Sequence, residues 1–417
     1  MTLRRLSSLT CALVLAVATL AAQHLPDASP QSQGLSADRL ERLHAFLREE
    51  IEAKRYSGAV LLLARNGRVV DWRAFGLRDR ESGLAMEKDT IVRIYSMSKV
   101  VTTAAAMVLV EDGRIRLDDP VEKYLPALAK MRVWKGGTDK KPVLVPAKGP
   151  ITIKHLLTHT SGFIYGFDKA EIDKRYQKAD AYAAPSMDAF VATMARLPLA
   201  FQPGEKFGYG FGIDLVGAVI EKVAGESLDR FVATKITGPL GMVDTGYAVQ
   251  ASKRSRLAKI YSRDKNGALK EADVLANVSV DGTGFARGGA GMFSTVADYA
   301  RFGQMLLNGG ELDGTRVLGR KSVELMMANQ LVNLAQPTTE PGGGYGFGYG
   351  GGVRVNLGGE SVPGSPGQFG WAGAATTYFN VDPKENTVVL LFMQHFPFNE
   401  DDVFARFSAI VYSSLVK

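Results

Sequence analysis

A serine and a lysine three positions apart, Ser96 and Lys99, are the residues of this sequence best suited to covalent chemistry. An apolar run, residues 91–95, leads into them. Val100, Val101, Ala104, Met107 and Val108 follow at helical spacing, up to Gly113. Residues i and i+3 share a helix face, so the amine stands one turn from the hydroxyl. An amine that is neutral part of the time, through burial and nearby cations, can take the proton of a serine nucleophile. A helix N-terminus also favours the negative charge that develops there. Ser-x-x-Lys is equally the pattern of a capping serine followed by a surface lysine, and the pair alone does not separate the two.

Other chemistries find less support. His155 and His159 have the spacing of two zinc ligands on a helix, but Leu156 stands where the zincin pattern needs Glu. No third ligand is apparent, so the pair reads as packed or hydrogen-bonded near a helix end. No serine lies in a Gly-x-Ser-x-Gly elbow, which argues against a histidine-based α/β hydrolase. The glycine-rich residues 342–352 lack the Gly-Lys-Ser/Thr ending of a phosphate loop and read as loop and bulge. No metal and no organic cofactor is expected.

The composition sets the frame. The chain has 417 residues, 46% hydrophobic and 22% charged, which excludes a mainly disordered chain and fits one large domain or two. Its net charge of +7 is mild, and the basic residues form no long run. The densest stretch, residues 253–270, mixes in Asp264 and reads as a solvated face, so no nucleic-acid partner is expected. Arg4 and Arg5 precede an apolar segment, residues 9–20, and small residues at Ala21 and Ala22. This is the pattern of a secretory signal peptide, residues 1–22, too short for a stable membrane span. It predicts export to the periplasm or beyond. Cys11 lies in that leader, so the mature chain would carry no disulfide and no thiolate site.

The elements that must position Ser96 and Lys99 follow from periodicity. Ser36 can cap a helix carrying Leu40, Leu43, Leu47 and Ile51. Asn66-Gly67 between apolar runs predicts a hairpin. Helices are expected at 153–157, 187–196, 213–224, 228–236 and 296–307, with a polar loop over 135–150. Two strands, 376–381 and 388–394, precede a last helix carrying Phe404, Phe407 and Val411. The order predicts an α+β fold. An antiparallel sheet is built from residues 23–115 and 286–417, and a mostly helical unit, residues 116–285, is inserted between them.

The wording around the pair resolves its ambiguity. Arg93-Ile94-Tyr95-Ser96-Met97-Ser98-Lys99-Val100 resembles the first motif of the β-lactamase-related serine hydrolases. Residues 151–162, with His155, His159 and Gly162, resemble a later segment of that family. Pro203-Gly204-Glu205-Lys206-Phe207-Gly208-Tyr209 stands where the family places its second-motif tyrosine. Residues 288–295 resemble the return to the sheet, and Gly370-Trp371-Ala372-Gly373-Ala374 stands at the third motif. The resemblance spans about residues 34–416. It implies a β-lactamase/transpeptidase-like α/β/α sandwich with Ser96 as nucleophile and Lys99 and Tyr209 as its proton relay. It further implies an oxyanion hole from the Ser96 and Ala374 amides, and Tyr95, Phe211, Trp371 and Gly373 around the substrate. Class C β-lactamases carry Tyr-x-Asn and Lys-Thr-Gly in the second and third motifs. Here Tyr209-Gly210-Phe211 lacks the amide and Trp371-Ala372-Gly373 lacks the cation. The plainer readings are a core aromatic for Trp371 and a helix-flanking packing residue for Tyr209. The two departures look like the family VIII carboxylesterases, which implies a small or short-chain ester as substrate. β-Lactam hydrolysis, D-Ala-type peptidase or acyl-transfer activity, and a non-enzymatic penicillin-binding envelope protein are the alternatives.

Overall fold

Every residue of the strand Gly58–Arg65 is buried, and its side chains alternate between two separate cores. Val60, Leu62 and Ala64 enter one core and Ala59, Leu61 and Leu63 the other. A continuous apolar run is what a strand covered on both faces requires. The computed structural model describes residues 24–272 and 278–417. The expected leader, residues 1–22 with Cys11, lies outside the described residues.

Among the described residues, the main sheet has eight strands: β1 (Gly58–Arg65), β2 (Arg68–Asp79), β3 (Leu84–Ala85), β4 (Tyr345–Phe347), β5 (Gly352–Arg354), β6 (Phe369–Gly373), β7 (Thr377–Asp382) and β8 (Thr387–Met393). Their spatial order is β4-β5-β6-β7-β8-β1-β2-β3, antiparallel throughout. Strands from the two ends of the chain meet at the centre, where β1 pairs with β8 and Leu61 faces Leu391. The β1–β2 turn has Asn66 and Gly67 at φ of 53° and 75°, the hairpin geometry expected of that dipeptide.

Five helices position the sheet and the site: α1 (Ala37–Glu52), α2 (Ser98–Glu111), α3 (Gly212–Ala224), α4 (Val296–Leu307) and α5 (Val403–Ser413). Helices α1 and α5 bury Leu43, Leu47, Phe407 and Val411 against one sheet face. Helices α2 and α4 cover the other face, with Val101, Ala105, Phe302 and Met305 in its core. The result is a helix–sheet–helix sandwich of α+β class. Ser36 caps α1 as expected, its Oγ accepting from the Arg39 amide. No helix among the described residues is long and apolar enough to cross a membrane.

Three local readings of the sequence are corrected. Residues 135–150 are not simply a polar loop, because Arg132–Gly137 pairs with Pro142–Pro146 in a hairpin. Lysines at 135, 140 and 141 mask the strand pattern of Val133, Val143 and Val145. The glycine-rich residues 342–352 hold β4 and the first residue of β5, since Tyr345, Phe347 and Val353 supply the strand alternation between glycines. A helix at Glu171–Ala179 was not anticipated; its sequence is mostly charged, and Ile172 and Tyr176 are the buried residues of its apolar face.

Candidate active site

The chain reaches Ser96 through a sharp change of direction. Val92–Arg93 pairs with Phe293–Ser294, and Ile94 N–H donates to Met292 O at 3.0 Å. Tyr95 then takes a positive φ of 41°, a strained conformation for a bulky side chain of the kind that clusters at functional sites. A 3₁₀ turn, Tyr95–Met97, leads straight into α2. Ser96 therefore stands at the helix entrance, half-buried. Helix α2 is locked in place: Met292 N–H donates to Ser98 Oγ at 3.1 Å, and Thr102 Oγ1 donates to Gly288 O at 2.7 Å.

Lys99 is wholly buried, a rare situation for a lysine. Its Nζ donates to Ser96 Oγ at 3.1 Å and to Gly289 O at 2.7 Å. It also lies over the rings of Tyr209 and Tyr165, 4.7 and 5.2 Å from their centroids. The Lys99 chain is thus no surface lysine behind a capping serine. Tyr209 is held from two sides. Trp371 Nε1 donates to its Oη at 3.0 Å, and its ring packs on His159 at 4.7 Å. The indole N–H occupies one lone pair of the phenol oxygen, so the phenol proton points elsewhere. Burial holds the His159 imidazole well below its ordinary pKa, so this ring adds no charge beside Lys99.

A buried carboxylate completes the cluster. Asp214, in the first turn of α3, accepts from the Gly289 amide at 3.0 Å and from Tyr165 and Tyr182 Oη at 3.2 Å each. Burial pushes its pKa up, while the Lys99 charge and these donors pull it back. Gly289 therefore serves both charges, carbonyl to Lys99 and amide to Asp214. A Cβ there would sit 2.4 Å from Asp214 Oδ2, so glycine is required by close approach. Asp214, Tyr165 and Tyr182 were missed by sequence reasoning. The available signal was an aspartate inside the apolar run of α3.

A cavity of about 280 Å³ opens in front of Ser96. Tyr95, Phe211 and Ala374 line it with Ser96, so four of the expected site residues share one space. Burial pushes the Tyr95 phenol well up, which keeps it neutral. Phe211 packs edge-on against Tyr165 and Tyr182, with centroids 4.5 and 5.1 Å apart, and forms an apolar wall. Ala374 follows directly on β6, whose last residue, Gly373, passes so close that a Cβ would meet Ile94 O at 2.3 Å. That contact sets the Ala374 backbone beside the turn bearing Ser96. Trp371 enters the arrangement through Tyr209 and packs edge-to-face on Phe347 at 5.1 Å. Of the histidine pair, His155 completes a helix cap with Thr152 at 3.2 Å, and His159 backs Tyr209.

The sequence profile of the family described as Beta-lactamase matches residues 43–411. Protein Rv1367c of Mycobacterium tuberculosis (strain ATCC 25618 / H37Rv) is 35% identical over 366 residues, covering 86% of this chain and 90% of that protein. Lovastatin esterase of Penicillium rubens is 33% identical over 365 residues, covering 81% of this chain and 88% of that protein. Among solved structures, EstCE1, described as a hydrolase with promiscuous acyltransferase activity, superposes with a TM-score of 0.76 at 25% identity. That match covers 91% of this chain and 98% of EstCE1.

Proposed function

The chain belongs to the Beta-lactamase family and is a serine hydrolase, and from that premise we propose that it is an exported carboxylesterase acting on small or short-chain esters through an acyl-enzyme on Ser96. The observation that carries this reading is the buried Lys99 Nζ at 3.1 Å from Ser96 Oγ.

Ser96 Oγ attacks the ester carbonyl carbon, and its proton passes into the Lys99–Tyr209 pair in the form that holds one base, phenol beside neutral amine or phenolate beside ammonium. The carbonyl oxygen becomes the oxyanion of a tetrahedral intermediate and accepts hydrogen bonds from the Ser96 and Ala374 amides. One such donor contributes about 10²–10³ in rate. Collapse breaks the bond to the alkoxide, which leaves with the proton. Water then attacks the acyl carbon, gives its proton to the same pair, and releases the acid and free Ser96. Lys99 is held by Gly289 and balanced by Asp214, so the relay is fixed before substrate arrives. An alcohol in place of water would give acyl transfer by the same steps.

Trp371 supports the ester over the β-lactam. Its indole stands at the third-motif position, where a lysine would meet a β-lactam carboxylate, and its N–H is engaged by Tyr209. A hydrogen bond to a charged group contributes about 1.5–3 kcal/mol, or roughly 10- to 150-fold in affinity. For a short-chain nitrophenyl ester, kcat/KM should exceed that for a chromogenic cephalosporin by about 10-fold or more. A cephalosporin value equal to or above the ester value overturns the carboxylesterase reading in favour of a β-lactamase.

A further inference from the structure

We infer that Arg287 is a carboxylate-binding residue of the substrate cavity, and that the preferred esters carry a free carboxylate some bonds away from the scissile carbonyl. The inference rests on the esterase reading and specifies its substrate class.

Arg287 lines the same cavity as Ser96. It is half-buried, its guanidinium stacked on the Tyr182 ring at 4.5 Å from the centroid. Nη2 donates to Tyr182 O at 2.9 Å. A guanidinium has five N–H donors in a fixed fork. Among the described residues no carboxylate approaches Arg287 within ion-pair distance, although most arginines of this chain find one. Two acids of this region do not serve it. Asp214 is fully engaged by Gly289, Tyr165 and Tyr182. Asp180 is exposed on the rim of the cavity, at the end of the Glu171–Ala179 helix.

Taking a cation partly out of water without a counter-charge is unfavourable. Here the stack on Tyr182 and the bond to its carbonyl hold the fork in one orientation, and among the described residues no other acceptor takes its remaining donors. A planar fork of this kind matches a carboxylate in a bidentate way. One guanidinium, in a cavity that Asp180 also lines, suits a monoanion better than a doubly charged phosphate. The remaining walls, Tyr165, Phe211 and Tyr95, suit the apolar chain joining that carboxylate to the ester. Trp371 does not line this cavity; its ring meets Tyr209 and Phe347, apart from Arg287. The binding charge that the third motif lacks is thus supplied from another part of the site, for a substrate of another shape.

The test compares acid probes with their neutral methyl esters. One arm places the acid on the acyl side: 4-nitrophenyl hydrogen glutarate and adipate. The other places it on the leaving group: 4-acetoxybenzoic acid. Wild-type protein should prefer the acid in at least one arm. In Arg287→Gln the ratio of kcat/KM for acid over methyl ester should fall about 10-fold or more, mainly through KM. Arg287→Lys, which keeps the charge without the fork, should retain part of the preference. Fluorophosphonate labelling of Ser96 in each variant shows that the site is folded. A wild-type protein that prefers the neutral ester in both arms, or a ratio unmoved by Arg287→Gln, overturns this inference while leaving the esterase reading in place. Hydrolysis of no ester, or hydrolysis that persists in Ser96→Ala, overturns both.

Discussion

Ser96→Ala is expected to lower kcat by roughly 10⁴-fold or more while leaving the circular dichroism spectrum unchanged. The size of the effect follows from the chemistry. Without the hydroxyl there is no acyl-enzyme, and the Lys99, Tyr209 and amide groups then act on nothing. The absence of a folding effect follows from the surroundings. Ser96 is half-buried, and the contact made by its Oγ is the one from Lys99, which keeps its bond to Gly289 O. Kinetics with a short-chain nitrophenyl ester check this. A variant retaining a tenth of the activity would mean that the nucleophile is another residue.

Lys99→Ala and Tyr209→Phe are each expected to approach the loss caused by Ser96→Ala, with the double variant little worse than either. Groups acting in one proton relay are strongly non-additive. The two single variants should differ in stability. Lys99→Ala leaves Asp214 buried without the nearby positive charge that offsets its burial, and an uncompensated buried carboxylate costs stability. Protonation of Asp214, whose pKa burial already raises, relieves part of that cost. Lys99→Ala should therefore melt lower than wild type, and less so towards acid pH. The sign follows from linkage: with its cation gone, the folded-state Asp214 pKa lies further above its unfolded value. The folded form then binds a proton more readily than the unfolded form, so acid favours folding. Tyr209→Phe removes one acceptor, that of the half-buried Trp371 N–H, and should melt close to wild type. Rate losses that multiply independently in the double variant would show that the two groups form no relay.

The parts of the molecule legible in the sequence are those whose signal is local. Ser96 stands in the turn that opens α2 and Lys99 in its first turn, so spacing alone brings them together. The apolar run of β1 and the Asn66–Gly67 turn are likewise written in neighbouring residues. Asp214, Tyr165, Tyr182 and Arg287 come from separate segments and meet only around Gly289 and the cavity. No spacing rule links them. An aspartate in an apolar helix start looks like a dipole partner, and tyrosines among loops look like packing. Trp371 shows the same limit from the other side. Its position was legible, but its hydrogen bond to Tyr209, 162 residues away, was not. The strands β4 and β5 were hidden by glycines, which carry no pattern of their own.

The central claim is that Ser96 is the covalent nucleophile, and active-site labelling tests it most directly. The protein is treated with a fluorophosphonate, digested, and mapped by mass spectrometry, with and without prior incubation with excess ester. The account predicts a single adduct, on the peptide containing Ser96, diminished by the ester and absent from Ser96→Ala. An adduct on another residue, or undiminished labelling of Ser96→Ala, would contradict it.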